Sequence, residues 1–223
     1  MSKIYAMSDL HGNLDAFDYA LSLIDLAEED TKLVLCGDYI HGPDSYGVLN
    51  RIMELENTYG KEKVIALMGN HEYMATLQWP INSNHIDYDR DGKYLDWIYD
   101  LPLYYTEGNT IFVHAGIDEE SGEDWEIGTP EIYFLEKYPA ETGKIEGLDM
   151  KVVAGHVGTH EIAGDPHFHD MYYDSESHYY IDGTVLDSGI IPVLMVDTNT
   201  DRYYSVTESS ARLILPYDEI EEY

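Results

Sequence analysis

The sequence predicts a layered α/β fold, in which two β-sheets form a sandwich flanked by helices. Three observations support this prediction. Short apolar runs alternate with amphipathic segments early in the chain, polar residues directly follow these runs, and turn residues separate further short runs near the end. A length of 223 residues suits one hydrophobic core. We therefore expect residues 1–223 to form a single domain, with residues 216–223 as an acidic C-terminal tail.

Five apolar runs are predicted to be buried strands, because each is short and almost free of polar residues. They cover residues 4–7, 33–36, 64–68, 110–113 and 152–154. Apolar residues at three- and four-residue spacing predict a helix over residues 14–27, and a second helix is predicted over residues 46–55. Ligands of such sheets bind beyond the carboxyl ends of the strands, so we expect the active site there.

Three later runs have a different pattern, because Gly183, Gly189 and Asn199 punctuate them. They cover residues 179–182, 192–196 and 202–206. Short runs with turn residues between them are typical of hairpin-linked antiparallel strands. We therefore expect these runs to form the second sheet of the sandwich.

The chain is strongly acidic, with 44 Asp and Glu residues against 12 Lys and Arg residues and a formal net charge of -32. Such a negative field repels phosphate backbones and anionic lipids, so no nucleic-acid or membrane partner is expected. Cys36 is the single cysteine, which excludes an intramolecular disulfide and a cysteine-based zinc site. With no secretion signal and no run of about 20 apolar residues, the predicted location is the cytoplasm.

Candidate metal ligands follow five of the predicted strands. The sequence patterns are Asp-x-His-Gly, Gly-Asp, Gly-Asn-His-Glu, His-Ala-Gly and Gly-His. Imidazole nitrogens and carboxylate oxygens suit divalent manganese, iron or zinc, and thiolates are not needed. The candidate ligands are Asp9, His11, Asp38, Asn70, His114 and His156.

This ordered set resembles that of the calcineurin-like metallophosphoesterases, from Asp9 to about Val196. The resemblance implies two divalent ions, with manganese expected first and iron or zinc as alternatives. Asp9 and His11 would hold one ion, Asp38 would bridge both, and the second ion would be held by Asn70, His114 and His156. Such a pair polarises phosphoryl oxygens and provides hydroxide near neutral pH. It would also supply the positive charge that a phosphorylated substrate needs in so acidic a protein.

The resemblance also implies a catalytic role for Asp38 and for His71, which would protonate the leaving oxygen. Substrate binding would involve Asn70, His71 and His41. The finer resemblance is to the phosphoprotein-phosphatase branch, through the segments at residues 155–159 and 180–183.

The chain departs from that branch after Asp38. The branch has Gly-Asp-x-x-Asp-Arg-Gly, in which the second Asp orients the catalytic His and the Arg binds phosphate, whereas residues 37–43 are Gly-Asp-Tyr-Ile-His-Gly-Pro. The branch also commonly has an Arg directly before Gly-Asn-His-Glu, and this chain has Met68 at that position. Neither His nor Met reproduces the bidentate fork of Arg. His41 therefore either faces the substrate as a catalytic residue or is a structural loop residue.

The resulting hypothesis is a metal-dependent phosphoesterase that acts on phosphomonoesters, including phosphoserine, phosphothreonine or phosphotyrosine in proteins. The first alternative is hydrolysis of a dinucleoside polyphosphate or a phosphodiester. The second is a catalytically silent module that binds metal or a partner. Residues 167–180 are rich in His and Tyr, which predicts a loop at the rim of the site or, alternatively, a third metal site. Trp79, Trp97 and Trp125 either line the substrate pocket or pack in the core.

Overall fold

Two mixed β-sheets pack against each other in the computed structural model, which describes residues 3–81 and 88–220. The strands are β1 (Lys3–Met7), β2 (Thr31–Leu35), β3 (Val64–Ala66), β4 (Tyr104–Glu107), β5 (Thr110–Val113), β6 (Lys151–Ala154), β7 (Tyr172–Tyr173), β8 (His178–Tyr180), β9 (Leu194–Asp197), β10 (Arg202–Val206) and β11 (Ala211–Leu213). The first sheet has the order β11-β10-β9-β1-β2-β3, and the second has the order β4-β5-β6-β8-β7.

Helices connect and cover these strands. The α-helices are α1 (Leu14–Ser22), α2 (Ser45–Tyr59), α3 (Asn70–Thr76), α4 (Tyr88–Tyr99), α5 (Trp125–Gly128), α6 (Glu131–Glu136), α7 (Thr159–Ala163) and α8 (Val185–Ser188). Two 3-10 helices cover Glu119–Asp124 and Tyr217–Glu219. Asn13 and Asp44 start α1 and α2, because their side chains accept hydrogen bonds from backbone N–H groups in the first turn. No helix within the described ranges has the length and apolar character needed to cross a bilayer.

The central strands β1, β2, β3, β5, β6 and β8 are largely buried on both faces, to which successive side chains point alternately. Ile4, Ala6 and Val34 of the first sheet pack with Phe112 and Val153 of the second, so one core lies between the sheets. The opposite face of the first sheet packs on α1, α2 and α4. The outer face of the second sheet packs on α5 and α6 through Trp125 and Phe134. The predicted fold class, a helix-flanked sandwich of two sheets, is therefore confirmed.

The predicted sheet is wrong for two of the three later runs. Residues 194–197 and 202–206 form a hairpin, but β9 pairs with β1 in the first sheet, with Lys3 opposite Asp197. The second sheet is instead built on β5, β6 and β8, which run parallel. Local turn signals reveal a hairpin, but they carry no information about which distant strand the hairpin joins. The run at residues 179–182 does lie in the second sheet through β8, whereas the runs at 192–196 and 202–206 lie in the first sheet.

Several element boundaries also differ from the predictions. Helix α1 ends at Ser22, so the predicted extension to residue 27 is wrong, although Leu26 still packs in the core. Helix α2 is longer than predicted and stops at Gly60, whose positive φ of 91° suits glycine. In the predicted tail, the Tyr217 ring contacts the rings of Phe168 and Tyr172. Residues 221–223 lie outside the described ranges, and the single domain stays a prediction.

Candidate metal centre

The strand ends that carry the candidate ligands meet at one edge of the sandwich. Strands β1, β2 and β3 run parallel in the first sheet, and β5 and β6 run parallel in the second. Their carboxyl ends therefore point the same way within each sheet. The loops that follow these strands supply Asp9 and His11, Asp38, Asn70, His114 and His156, in that order.

The backbone around the site is unusually strained. Five of the nine non-glycine residues with positive φ in the described ranges belong to this centre. Residues without a glycine's freedom adopt this region at a cost of about 1–3 kcal/mol, and they concentrate at functional sites. The five residues are Asp9 (55°), His11 (40°), Asp38 (58°), His41 (64°) and His156 (65°).

One candidate ligand group consists of Asp38, His114 and His156, whose ligand atoms all lie within 4.8 Å of one another. The buried His114 donates a hydrogen bond from Nδ1 to the carbonyl oxygen of Cys36 at 2.8 Å, which leaves a lone pair on Nε2. This Nε2 lies 3.5 Å from Oδ1 of Asp38. The hydrogen bond to Cys36 therefore fixes the tautomer that a metal requires.

The amide of Asn70 tests whether these residues fit a cation. Its oxygen lies 2.8 Å from Nε2 of His114 and 3.1 Å from Nδ1 of His156. The same atom lies 3.1 Å and 3.3 Å from the two carboxylate oxygens of Asp38. Four lone-pair groups from four strand ends thus point at one another. A divalent cation between them would satisfy all of them, so the donor set fits a metal.

The second candidate group consists of His11, Asp38 and His71. Nε2 of His11 lies 3.9 Å from Oδ2 of Asp38 and 3.9 Å from Oδ1 of Asp9. Asp9 is buried, and its other oxygen accepts a hydrogen bond from the backbone N–H of His156 at 3.0 Å. The two oxygens of Asp38 therefore face different ligand groups, as a bridging carboxylate requires.

The electrostatics of the centre favour a cation. Burial raises the pKa of Asp9 to about 7 and that of Asp182 to about 7, and it raises the pKa of Asp38 well above its ordinary value. Repulsion among the carboxylates adds to the effect at Asp38. Burial and neighbouring histidines lower the pKa of His114 and His156, so both imidazoles are neutral and keep a lone pair. Divalent cations would stabilise the ionised carboxylates.

Glu72 organises the loop that carries Asp38, a role that the sequence did not reveal. Its buried carboxylate accepts hydrogen bonds from the backbone N–H groups of Asp38 and Tyr39 at 2.8 Å, Gly69 at 3.1 Å and Ile40 at 3.3 Å. Oδ1 of Asp38 in turn accepts from the backbone N–H of His71 at 3.0 Å. The Gly-Asn-His-Glu pattern could have indicated this role of Glu72, because a buried Glu next to candidate ligands needs several hydrogen-bond donors.

His41 contacts His71 directly. The two Nδ1 atoms are 2.7 Å apart, and Nε2 of His41 lies 2.9 Å from the carbonyl oxygen of Pro80. Nε2 of His71 lies 3.8 Å from Oδ2 of Asp38. Met68, which stands in place of an Arg of the resembling branch, is buried in the core that covers the first sheet.

The three tryptophans differ in burial, and His178 of the His-rich stretch pairs with nearby carboxylates. Trp97 and Trp125 are buried in the core, whereas Trp79 is 58% exposed and directly precedes Pro80. In residues 167–180, His178 pairs with Asp174 at 2.7 Å and with Glu119 at 3.4 Å. Both metal-binding groups found in the described ranges contain Asp38, so the third metal site finds no support there.

Relatives with curated names share part of this sequence. A symmetrical bis(5'-nucleosyl)-tetraphosphatase of Nitrosospira multiformis is 32% identical over 124 residues, which cover 51% of this chain and 43% of the relative. The protein of the same name from Nitrosococcus oceani is 31% identical over 142 residues, which cover 57% and 47%. The matches thus span less than half the length of these relatives.

Solved structures show the same fold at low identity. The cold-active protein-tyrosine phosphatase of a psychrophilic Shewanella has a TM-score of 0.67 and 16% identity, with 96% of this chain and 81% of that chain covered. A protein serine/threonine phosphatase from Saccharomyces cerevisiae has a TM-score of 0.55 and 14% identity, with 87% and 72% covered.

The family model for calcineurin-like phosphoesterases, a family that uses divalent metals, matches residues 2–195. That range contains all six candidate ligands, the whole second sheet, and strands β1, β2 and β3 of the first sheet. The chain therefore belongs to the calcineurin-like phosphoesterase family.

Proposed function

We propose that this chain is a two-metal phosphohydrolase. The observation that carries the proposal is the convergence of Asn70, His114, His156 and Asp38, whose side-chain polar atoms approach one another to within 2.8–3.5 Å. When bound, two divalent cations would supply positive charge to the phosphoryl oxygens and a water of lowered pKa. The location of the protein in the cytoplasm stays a prediction.

The protein residues divide into two ligand sets. Asp9 and His11 lie on one side of Asp38, and the second set on its other side consists of Asn70, His114 and His156. Oδ1 of Asp38 lies nearest His114, and Oδ2 lies nearest His11, with Asn70 in reach of both oxygens. Manganese is the metal expected first, because oxygen and imidazole ligands of this mixture suit it, and iron or zinc would bind the same atoms.

His71 is proposed to protonate the leaving oxygen. Its Nε2 lies 3.8 Å from Asp38, and its side chain keeps 25% of its surface exposed, so it borders the centre and remains open to a substrate. Burial and the nearby His11 and His41 lower the pKa of His71 to about 3 in the metal-free protein, so the proposed acid role requires that a bound anionic substrate stabilises the protonated imidazole. The competing role is that of a ligand, since His71 also forms a group with His11 and Asp38. Loss of a bound cation in His71→Ala would favour the ligand role.

The substrate proposed first is a dinucleoside polyphosphate, which was the alternative in the sequence-based hypothesis. The two relatives described above carry the name of a tetraphosphatase that acts on such compounds. Trp79 adds a structural reason, because its exposed indole offers a stacking surface for a nucleobase and it precedes Pro80, whose carbonyl oxygen contacts His41. Phosphomonoesters, the first choice from sequence, are the second candidate, since Asp38 and His71 would serve both reactions.

The test compares substrates on one metal-loaded preparation. Protein stripped of metal is reloaded with manganese, iron or zinc, and kcat/KM is measured for diadenosine tetraphosphate, p-nitrophenyl phosphate and its bis-ester. We expect metal-dependent turnover with the highest kcat/KM for the tetraphosphate. A higher value for the monoester would move the phosphomonoester into first place. Two bound ions per chain without turnover of any of these compounds would favour the silent metal-binding module.

A further inference from the structure

We propose that His41 is a positioning residue, which fixes the tautomer and direction of His71 in place of a carboxylate. The inference rests on the proposed function only for the use of His71 as the proton donor. It identifies what replaces the Asp of the resembling branch, and it gives His41 a role other than contact with the substrate.

The hydrogen bonds of His41 define its protonation. Nε2 of His41 lies 2.9 Å from the carbonyl oxygen of Pro80, and a carbonyl oxygen only accepts hydrogen bonds, so this nitrogen donates. In neutral His41, Nδ1 is then an acceptor. His71 lies 2.7 Å from it and must donate its own Nδ1–H. The remaining nitrogen of His71, Nε2, consequently faces Asp38 and the candidate metal centre, and in the acid form of His71 this nitrogen carries the second proton, which it gives to the leaving oxygen.

The backbone holds His41 in place for this contact. Its φ of 64° is in the left-handed region, and the N–H of the preceding Ile40 is bound by Glu72 at 3.3 Å. The following residue must be glycine, because a Cβ at Gly42 would overlap the carbonyl oxygen of His11. Such strain persists only where the surroundings enforce it. The short loop therefore delivers the imidazole to His71 from a fixed direction.

In the metal-free centre, a neutral acceptor avoids the repulsion that a further carboxylate would add. Asp9, Asp38, Glu72 and Asp182 are all buried carboxylates, and repulsion among them already raises the pKa of Asp38. Another carboxylate beside His71 would add negative charge to this group. An imidazole with its second nitrogen bound to a carbonyl directs His71 without that charge.

Two substitutions separate the two contacts of His41. In His41→Asn the amide oxygen occupies roughly the place of Nδ1 and keeps an acceptor for His71, whereas in His41→Gln the amide reaches toward Pro80 and leaves His71 without an acceptor. For phenyl phosphate, a poor leaving group, we expect kcat of His41→Gln to fall by about 10-fold or more with KM little changed. We expect His41→Asn to lose less. With dinitrophenyl phosphate, whose leaving group needs no proton, the loss should nearly vanish in both.

A second experiment tests whether the loss in His41→Gln acts through His71 or through a disturbed loop. In a His71→Ala background, His41→Gln should produce no further loss of kcat, because a residue that acts through His71 has nothing left to position. Equal losses with both aryl phosphates, or an additive loss in the double variant, would overturn the inference.

The tautomer is measured directly and without turnover. Imidazole nitrogen NMR of the metal-loaded protein should show a protonated Nδ1 in His71, and this signal should shift or disappear in His41→Gln. A protonated Nε2 and bare Nδ1 in wild-type His71 would refute the role of His41, even if the enzyme is active. Conversely, the expected tautomer without turnover of any phosphate compound would leave this inference standing and remove the proposed function.

Discussion

Glu72 accepts a hydrogen bond from the backbone N–H of Asp38 at 2.8 Å, which joins the loop after β2 to the first turn of α3. The acidic residue of the Gly-Asn-His-Glu pattern thus binds backbone and no substrate. Because a Cβ at Gly69 would overlap the carboxylate of Asp38, the two loops pack too closely for any other residue there. The metal centre depends on this junction.

Glu72→Ala should lower the free energy of unfolding of the metal-free protein by about 2–4 kcal/mol, because four buried N–H groups lose their acceptor. Urea unfolding measures the change, and elemental analysis should show a parallel loss of bound metal. Glu29→Ala, which removes an exposed carboxylate, is the matched control. An unchanged unfolding midpoint in Glu72→Ala would contradict the role assigned to Glu72.

Asp38→Asn should abolish metal-dependent turnover, with a loss of kcat of about 10³-fold or more, because the amide supplies one oxygen ligand where two are needed. Elemental analysis should show fewer than two ions per chain. Asp44→Asn serves as control, since Asn caps a helix as well as Asp does and α2 should remain intact. Full metal content and activity in Asp38→Asn would exclude a bridging role.

Asp9 should make the metal-free protein less stable as the pH rises. Burial raises its folded pKa to about 7 from an ordinary value of 3.8, so the protonated form stabilises the fold below pH 3.8 and this contribution is lost as the pH approaches 7. With a chelator at pH 8, the free energy of unfolding of Asp9→Asn should exceed that of the wild type by on the order of 2 kcal/mol. The difference should shrink toward pH 4.

Manganese should reverse that order at pH 8, because ionised Asp9 then binds a cation and the Asn variant binds it more weakly. Thermal unfolding of both proteins at several pH values, with chelator and with manganese, measures both effects. A difference in Tm that is independent of pH in the chelated proteins would refute the raised pKa.

Trp79→Ala should raise KM for diadenosine tetraphosphate by about 10-fold, since stacking of a base on an aromatic ring contributes about 1–3 kcal/mol. KM for p-nitrophenyl phosphate should change little, because that compound carries no nucleobase. Ile127→Ala, at a side chain that is 90% exposed on α5, is the control for loss of exposed apolar surface. Equal effects on both substrates would remove Trp79 from nucleobase recognition.

The candidate ligands could be selected from sequence alone, because each belongs to a short pattern at the end of an apolar run. Asn70 and His114 needed no knowledge of distant contacts to be selected, and the structure brings them to 2.8 Å. The assignment of strands to sheets failed, since the position of β9 beside β1 depends on pairing across the whole chain. The roles of Asn70 and His114 as metal ligands stay predictions until bound metal is measured.

Contacts between distant loops could not be read from local pattern. His41 meets His71 and Pro80, which lie 30 and 39 residues further along the chain. No periodicity or motif in the sequence indicates these contacts. The exposure of Trp79 and the burial of Trp97 were equally open, because an indole is compatible with either environment.

The neighbours of β1 also constrain how the protein is made. This strand leads to Asp9 and His11 and pairs with β2 on one side, but its other partner is β9, which ends at Asp197. During synthesis on the ribosome, one edge of β1 therefore stays open until residues 194–197 have emerged. An open edge is prone to pair with other chains. Prematurely terminated products that lack β9 should aggregate and should not bind a metal ion at Asp9 and His11.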